Sequence, residues 1–276
     1  MWFHLDGAIL NAAQAACVAL PAAGLPARLQ RFRTGAWALV LPLCIAVVVF
    51  GIELLPESAT ILSWAALLLI PPGCALALGW AMRGARPALA VVAVPAFALV
   101  WADQDSRAGQ LATVFLIVGS CVTLGRLLAG AAPLTLLKIG IVAMAIVDSI
   151  LVFGNQLQGP NATLIAAVPA HGLPQLQSAQ LDNAGLGYGD FFAAGVLGGV
   201  LAAEGRAQVA AAIGVFAASL AWDQLFRFYD TMPATVPVAF VLVVIELRAV
   251  WRGRGTPRTA RGAPRLPGSS PGRAAP

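Results

Sequence analysis

The sequence has little charge and few of the side chains that usually hold metal ions. Asp, Glu, Lys and Arg together make up only 11% of the 276 residues, which is far less charge than a large soluble domain carries. The only two histidines are His4 and His171, and no His-Glu-x-x-His motif occurs, so a zinc protease is not expected. A Ser-His membrane protease needs a histidine within an apolar segment, and both lie outside the predicted ones. Four cysteines occur singly in apolar runs, as expected of small core residues: Cys17, Cys44, Cys74 and Cys121.

Apolar residues dominate what is present. They make up 59% of the chain, and the mean hydropathy is +0.83. They form long continuous runs of Leu, Val, Ile and Ala instead of short alternating strands, which predicts an all-α polytopic membrane protein. We predict about nine spans, of which the first and fourth are short for a core of about 20 residues. Their ranges are 8–23, 35–54, 60–82, 87–101, 109–130, 133–153, 184–204, 207–226 and 233–250.

Three parts of the chain follow from these spans. Residues 1–132 are expected to form an N-terminal bundle of about five spans, and 133–251 hold spans six to nine. Residues 252–276 contain six Arg, five Pro and five Gly, which predicts a disordered basic tail that anionic lipid can attract. The first span also carries Asn11 and Gln14 and can be a signal-peptide core, but the end before it has Asp6 and no Lys or Arg. We interpret it as a weak first span.

The positive charges orient the bundle. When alternate loops are assigned to opposite faces, fifteen of the seventeen Lys and Arg residues fall on one face, which the positive-inside rule makes cytoplasmic. The other face receives Arg107 and Arg227 together with most of the acids. The C-terminus is then cytoplasmic, the long connection 154–183 lies outside, and an integral protein of a prokaryotic plasma membrane is expected. We also predict that this connection covers the mouth of a site and helps to admit a ligand.

Two acids stand alone within apolar spans. Asp148 lies about five residues below the outer end of span six, and Asp190 about six residues below the outer end of span seven. At 1.5 Å per residue both are roughly 8 to 9 Å deep. Intramembrane acids are costly and are retained mainly where they face a bundle interior or a cavity. Because these two lie at matching depth on sequential antiparallel helices, they are predicted to face each other.

A facing pair of carboxyls suits acid-base chemistry. Two such groups repel each other as charges, so one proton is shared between them near neutrality. One carboxylate can then activate water while the protonated partner polarises a peptide carbonyl, as in aspartic proteases. The alternatives are that each Asp bonds to a neighbouring helix or belongs to a proton relay or ion pathway.

Three motifs resemble those of one protease family. The segment Val147-Asp148-Ser149-Ile150-Leu151-Val152-Phe153-Gly154 is similar to the sixth-span signature of presenilins and signal peptide peptidases. Leu186-Gly187-Tyr188-Gly189-Asp190 resembles their seventh-span GxGD motif. Pro233-Ala234-Thr235, opening span nine, resembles their Pro-Ala-Leu motif. The resemblance covers residues 133–250, and the first five spans agree only in number.

This resemblance implies a compact prokaryotic GxGD intramembrane aspartyl protease. Asp148 and Asp190 would be catalytic, supported by Gly187, Tyr188 and Gly189, while residues 233–235 would contact substrate. The chain departs from the family pattern at Val147, where a Tyr is usual, and at Thr235, where the third motif has Leu. The second departure puts the substrate-side contact in doubt. The predicted orientation matches signal peptide peptidases, so the expected substrates are transmembrane helices or remnant signal peptides with a cytoplasmic N-terminus. No cofactor, metal or nucleic-acid partner is predicted.

Other functions also agree with the sequence. Type IV prepilin peptidases share a similar GxGD motif, but they usually carry a basic residue where Phe192 stands, and their site faces the cytoplasm. A proton- or cation-coupled transporter can also use paired acids, although no repeat of either Asp context occurs in the N-terminal half. A scaffold that only binds helices is the third alternative. Asp223 is interpreted as an interfacial residue, and Glu246 is predicted to pair with Arg248 near the cytoplasmic end of span nine.

Overall fold

In the computed structural model the described part of the chain is mostly helical (77%). The structure describes residues 3–26, 31, 34–55, 57–154, 156, 158–182, 184–227 and 232–254. The predicted disordered tail lies outside these ranges from residue 255 onward. Its first three residues, 252–254, belong instead to the last helix.

The described residues of the N-terminal part form five α-helices with short irregular additions. They are α1 (Phe3–Ala19), α2 (Val40–Leu54), α3 (Ser58–Leu76), α4 (Ala93–Ala102) and α5 (Arg107–Ala131). A 3-10 turn precedes α2 at Gly35–Leu39 and another precedes α4 at Pro87–Val92, while α3 continues into a π-helical turn at Ala77–Ala81. Helix α1 begins five residues earlier than predicted and therefore takes in His4.

Among its described residues the C-terminal part adds five α-helices and one hairpin. Its elements are α6 (Leu134–Phe153), α7 (Gln158–Ala166), β1 (Ser178–Leu181), β2 (Ala184–Gly187), α8 (Tyr188–Ala203), α9 (Gln208–Asp223) and α10 (Val236–Arg254). A 3-10 turn, Gln224–Arg227, follows α9. Strands β1 and β2 pair antiparallel, with Ser178 opposite Gly187 and Leu181 opposite Ala184.

Three helical segments are long and apolar enough to cross a membrane: Ser58–Ala81, Arg107–Ala131 and Leu134–Phe153. A fourth is added if Gly35–Cys44 and Val48–Leu54, bent by 55°, form one span. The described residues therefore do not show nine spans, because several apolar helices fall short of about 20 residues. Helix α10 has 19 residues, but its second half carries four charged side chains: Glu246, Arg248, Arg252 and Arg254. What the structure supports is a helical protein compatible with an integral membrane protein.

Helix α5 forms the centre of the bundle. It packs against α1, α3 and α4, and its most extensive contact is with α8. Glycines permit this contact: a Cβ atom at Gly125 would lie 2.0 Å from the carbonyl oxygen of Gly195, and one at Gly199 would lie 2.2 Å from that of Gly125. Gly198 makes a comparable approach to the backbone of α1 at Val18. Gly195, Gly198 and Gly199 therefore all serve close helix packing.

Gly125→Ala should destabilise the protein by about 3 kcal/mol, because the new methyl group forces the backbones of α5 and α8 apart. The matched control is Gly214→Ala in α9, where a Cβ atom would meet Val241 at an ordinary 3.5 Å. That variant should be neutral or slightly stabilising, because Ala favours helix over Gly. Unfolding of both variants in detergent, followed by circular dichroism, measures the difference. Equal stabilities would contradict the tight crossing.

Ion pairs at the two ends of the bundle agree with the predicted alternation of loops. At one end Arg107 contacts Asp6 and lies 2.9 Å from Asp182, which joins the starts of α1 and α5 to the hairpin. At the opposite end Lys138 contacts Glu204 and lies 2.9 Å from Glu246, and Arg206 lies 2.9 Å from Glu204 and 2.6 Å from Glu246. Glu246 therefore pairs with α6 and with the α8–α9 turn, and not with Arg248 as predicted, because helix packing brings distant cations closer. Which end is cytoplasmic stays a prediction.

The connection 154–183 is more ordered than the sequence indicates. It contains α7 and β1, and α7 packs against α2 and α3. The Gln175 backbone N–H donates to Gln104 Oε1 at 2.8 Å, and Gln104 Nε2 donates back to the Gln175 carbonyl at 2.9 Å. Ser63 donates to the Ala167 carbonyl at 3.0 Å. These bonds fix the segment against the start of the α3 helix and the α4–α5 turn. That this connection covers the mouth of a site stays a prediction.

Candidate active site

The GxGD motif lies at a junction between a strand and a helix. Residues 184–187 form β2, and α8 begins only at Tyr188, so Asp190 is the third residue of its helix. The predicted span 184–204 is therefore wrong at its start, and Asp190 is not six residues into a helix. The reason is that Gly is a poor helix former and that β1 offers this segment a ladder of backbone bonds.

Asp190 caps its own helix. The backbone N–H of Gly187 donates to Asp190 Oδ2 at 3.2 Å, which is one half of a capping box. A Cβ atom at Gly187 would lie only 3.3 Å from that carboxylate oxygen, and one at Gly189 would touch Met144 of α6 at 3.5 Å. Neither glycine has a positive φ. Their use here is close approach, to Asp190 and to α6.

Asp148 is held by the third motif. It lies in the C-terminal half of α6, and the buried Thr235 donates its hydroxyl hydrogen to Asp148 Oδ2 at 2.6 Å. The same segment is fixed from α9, because the indole N–H of Trp222 donates to the Pro233 carbonyl at 3.1 Å. Residues 233–235 therefore form a short non-helical stretch before α10, packed beside the first acid.

The structure brings the two acids together. Helices α6 and α8 pack against each other, and the carboxyl of Asp148 lies close enough to that of Asp190 for their charges to interact. Both side chains are partly buried. All three predicted motifs therefore meet at one place, near the C-terminal end of α6 and the start of α8. The catalytic and substrate-binding roles of these residues stay predictions.

Tyr188 anchors the motif to the central helix. Its hydroxyl lies 2.8 Å from Ser120 Oγ on α5, a hydrogen bond in which either group can donate. Tyr188 thus fixes the first turn of α8 against α5.

Sequence reasoning missed the contribution of α1. The side-chain amide of Gln14 donates to the carbonyl oxygens of Asp190 and Ala234, at 3.3 and 3.1 Å. One turn away, Asn11 Nδ2 donates to Asp223 Oδ2 at 2.6 Å. Asp223 is thus bonded to another helix, and its interfacial position stays a prediction. The available signal was the pair of polar side chains three residues apart within an apolar run, a spacing that places both on one helix face.

The described residues contain no group of three or more His, Cys, Asp or Glu side chains arranged to hold a metal ion. All four cysteines are free, and three of them are buried, as expected for core residues: Cys17, Cys74 and Cys121. Comparison with known proteins gave no matching family model, no matching curated protein and no matching solved structure. Membership of the GxGD family therefore rests on the motifs and stays a prediction.

Proposed function

We propose that this protein is an intramembrane aspartic endopeptidase that hydrolyses peptide bonds in transmembrane segments. The observation that carries the proposal is the convergence of Asp148, Asp190 and Thr235 from three separate elements. Two neighbouring carboxyls with a shared proton are the chemical requirement for water activation without a metal or a nucleophilic side chain.

The hydrogen bonds suggest how the two acids divide the work. The bond from the Thr235 hydroxyl to Asp148 is 2.6 Å long, whereas the bond from the Gly187 N–H to Asp190 is 3.2 Å. A short bond to an ionised acceptor is the stronger one. We therefore assign the carboxylate to Asp148 and the shared proton to Asp190. Asp148 takes a proton from water as the oxygen attacks the peptide carbon, and Asp190 gives its proton to the carbonyl oxygen.

The resulting intermediate is a neutral tetrahedral diol. Collapse restores a carbonyl when a hydroxyl proton returns to Asp190, and the proton on Asp148 passes to the leaving nitrogen. The C–N bond then breaks and yields an acid and an amine, with one water consumed. Both carboxyls end in their starting protonation states, so the dyad turns over without any other co-reactant.

An apolar groove offers a route for a helical substrate. It lies between α6 and α10 and is open on one side, with walls formed by Ile146, Ile150, Val236 and Phe240. Ser149 also lines the groove, and Ser149 and Val236 directly follow Asp148 and Thr235 in the chain, so the groove lies near the first acid although Asp148 does not line it. Ile146, Ile150 and Phe240 are more than half exposed, as expected of side chains that meet lipid or another apolar helix.

The segment to be cut must leave its helical form, since helical backbone hydrogen bonds shield the peptide carbonyl. Strand β2 ends three residues before Asp190, and β1 is the only strand paired with it among the described residues. An extended substrate segment can therefore align with β2 through backbone hydrogen bonds. This alignment would place a peptide bond next to the dyad.

The direct test uses the purified protein in proteoliposomes with a fluorogenic peptide that spans the membrane once. We expect cleavage within the span, identified by mass spectrometry of the products, and inhibition by a hydroxyl-bearing mimic of the tetrahedral intermediate, which should bind more tightly than substrate. Peptides inserted in either orientation reveal the preferred direction. No cleavage in either orientation would contradict the proposal.

The same proteoliposomes separate the two alternatives. Cleavage confined to the cytoplasmic boundary of the peptide would favour the prepilin peptidase alternative. A cation flux that depends on both acids, without any cleavage, would favour a carrier.

A further inference from the structure

Gln14 carries a polar side chain at a position where its burial costs free energy. It lies in the middle of α1, is only 1% exposed, and stands among apolar neighbours. A buried amide is tolerated where its donors and acceptor are all satisfied. Gln14 meets this condition, because its Nε2 donates to two backbone carbonyls and its Oε1 accepts a hydrogen bond from Ser219 Oγ at 3.3 Å.

The orientation of this amide follows from its partners. Both carbonyl oxygens, of Asp190 and Ala234, need a donor, and only the NH2 group can supply two. The Ser219 hydroxyl, which can donate, then faces Oε1. The three contacts are therefore mutually consistent, and turning the amide over would lose two of them.

The two carbonyls belong to the two halves of the proposed dyad. One is the main chain of Asp190 itself. The other is the main chain of Ala234, and the next residue, Thr235, holds Asp148 through its hydroxyl. A single side chain thus connects the backbone that supports one acid with the backbone that supports the other.

From this geometry we infer that Gln14 is a positioning residue that sets the separation of Asp190 and Asp148. The inference rests on the proposed function for its catalytic consequence. Helix α8 and segment 233–235 approach each other from different elements, and side-chain hydrogen bonds that bridge them limit their relative movement. Misplacing a reacting group by about 1 Å can cost roughly 100-fold in rate, so a change here should affect turnover more than substrate binding.

Asn11 provides a matched control. It lies one turn before Gln14 on the same face of α1, is 7% exposed, and also bonds across to another helix, at Asp223. The contacts that it makes do not include Asp190 or segment 233–235. Replacing either residue by Leu removes a buried amide of α1, but only the change at Gln14 removes the connection between the two acids.

The experiment compares Gln14→Leu, Gln14→Glu and Asn11→Leu. We expect Gln14→Leu to lower kcat about 100-fold with KM within about threefold, and Asn11→Leu to keep kcat within about threefold at a similar loss of thermal stability. Gln14→Glu keeps the acceptor for the Ser219 hydroxyl, and it is the variant to measure if Gln14→Leu does not fold. Its activity relative to wild type should rise as the pH falls, because only a protonated carboxyl can donate a hydrogen bond.

A spectroscopic readout separates this inference from the proposed function. The infrared C=O stretching band of the protonated carboxyl, assigned by its loss in Asp190→Asn, reports on the acid pair without any catalysis. We expect Gln14→Leu to shift this band and Asn11→Leu to leave it in place. A band that stays in place in Gln14→Leu overturns the positioning role even if the wild type cleaves peptides. A shifted band in a protein that cleaves nothing supports positioning and overturns the protease proposal.

Discussion

Asp190→Asn should reduce cleavage of a transmembrane peptide by about 10³-fold or more, and Asp148→Asn should do the same. Asparagine has nearly the shape of aspartate and can still accept the bond from the Gly187 N–H or the Thr235 hydroxyl, so the packing around the site should persist. It cannot take up or release a proton at neutral pH. Since each step of the proposed reaction moves one proton through each acid, either change alone stops turnover.

The double variant gives a sharper result. Groups that act as a unit are not additive, so the pair Asp148→Asn and Asp190→Asn should be no slower than the worse single variant. Initial rates in proteoliposomes, with a detection limit set by uncatalysed hydrolysis, measure this. Additive losses would mean that the two acids act in separate steps.

Asp223→Asn is the matched control for these variants. Asp223 is a third carboxylate, at the end of α9, partly buried and bonded to Asn11 at 2.6 Å. The amide that replaces it can still accept the bond from Asn11. Activity close to that of wild type is expected. Wild-type cleavage by either Asp148→Asn or Asp190→Asn would show that the acid pair has no catalytic role.

The helical segments could be predicted from the sequence because apolar composition is local information. Each of the nine predicted ranges overlaps a described helix, although the boundaries move by several residues. The largest error is at span seven, where residues 184–187 pair with β1 and leave the helix to start at Tyr188. Pairing of this kind depends on a partner strand, and a run of apolar and small residues cannot distinguish a short strand from a helix start.

The acid pair could be predicted for a related reason. Two lone acids on consecutive helices, near the same end, are expected to meet inside the bundle, because exposing either of them to lipid costs free energy. The partners of these acids could not be predicted. Gln14 is 176 residues from Asp190 and 220 from Ala234 along the chain, and Glu246 meets Lys138 and Arg206 through helix packing. Such contacts follow from how the helices assemble, which a single sequence does not specify.

At Thr235 this chain departs from the motif that it resembles, and in the structure the threonine makes a contact that the usual leucine cannot make. A leucine at this position would only pack, whereas Thr235 donates its hydroxyl hydrogen to Asp148 at 2.6 Å and is 2% exposed. Hydrogen bonds to charged groups contribute about 1.5 to 3 kcal/mol. Removing this one leaves the proposed carboxylate without its closest donor.

Thr235→Val should therefore lower kcat by about 10- to 100-fold, the rate equivalent of that hydrogen bond, with little change in KM. Valine keeps the volume and the β-branch, so the packing of segment 233–235 is preserved. Thr235→Ser keeps the hydroxyl and should retain most of the activity, while Thr235→Leu should be as slow as the valine variant. Steady-state kinetics on the fluorogenic peptide distinguish these outcomes. If Thr235 instead contacts only substrate, the valine variant will raise KM at unchanged kcat, and the assignment of the carboxylate to Asp148 loses its support.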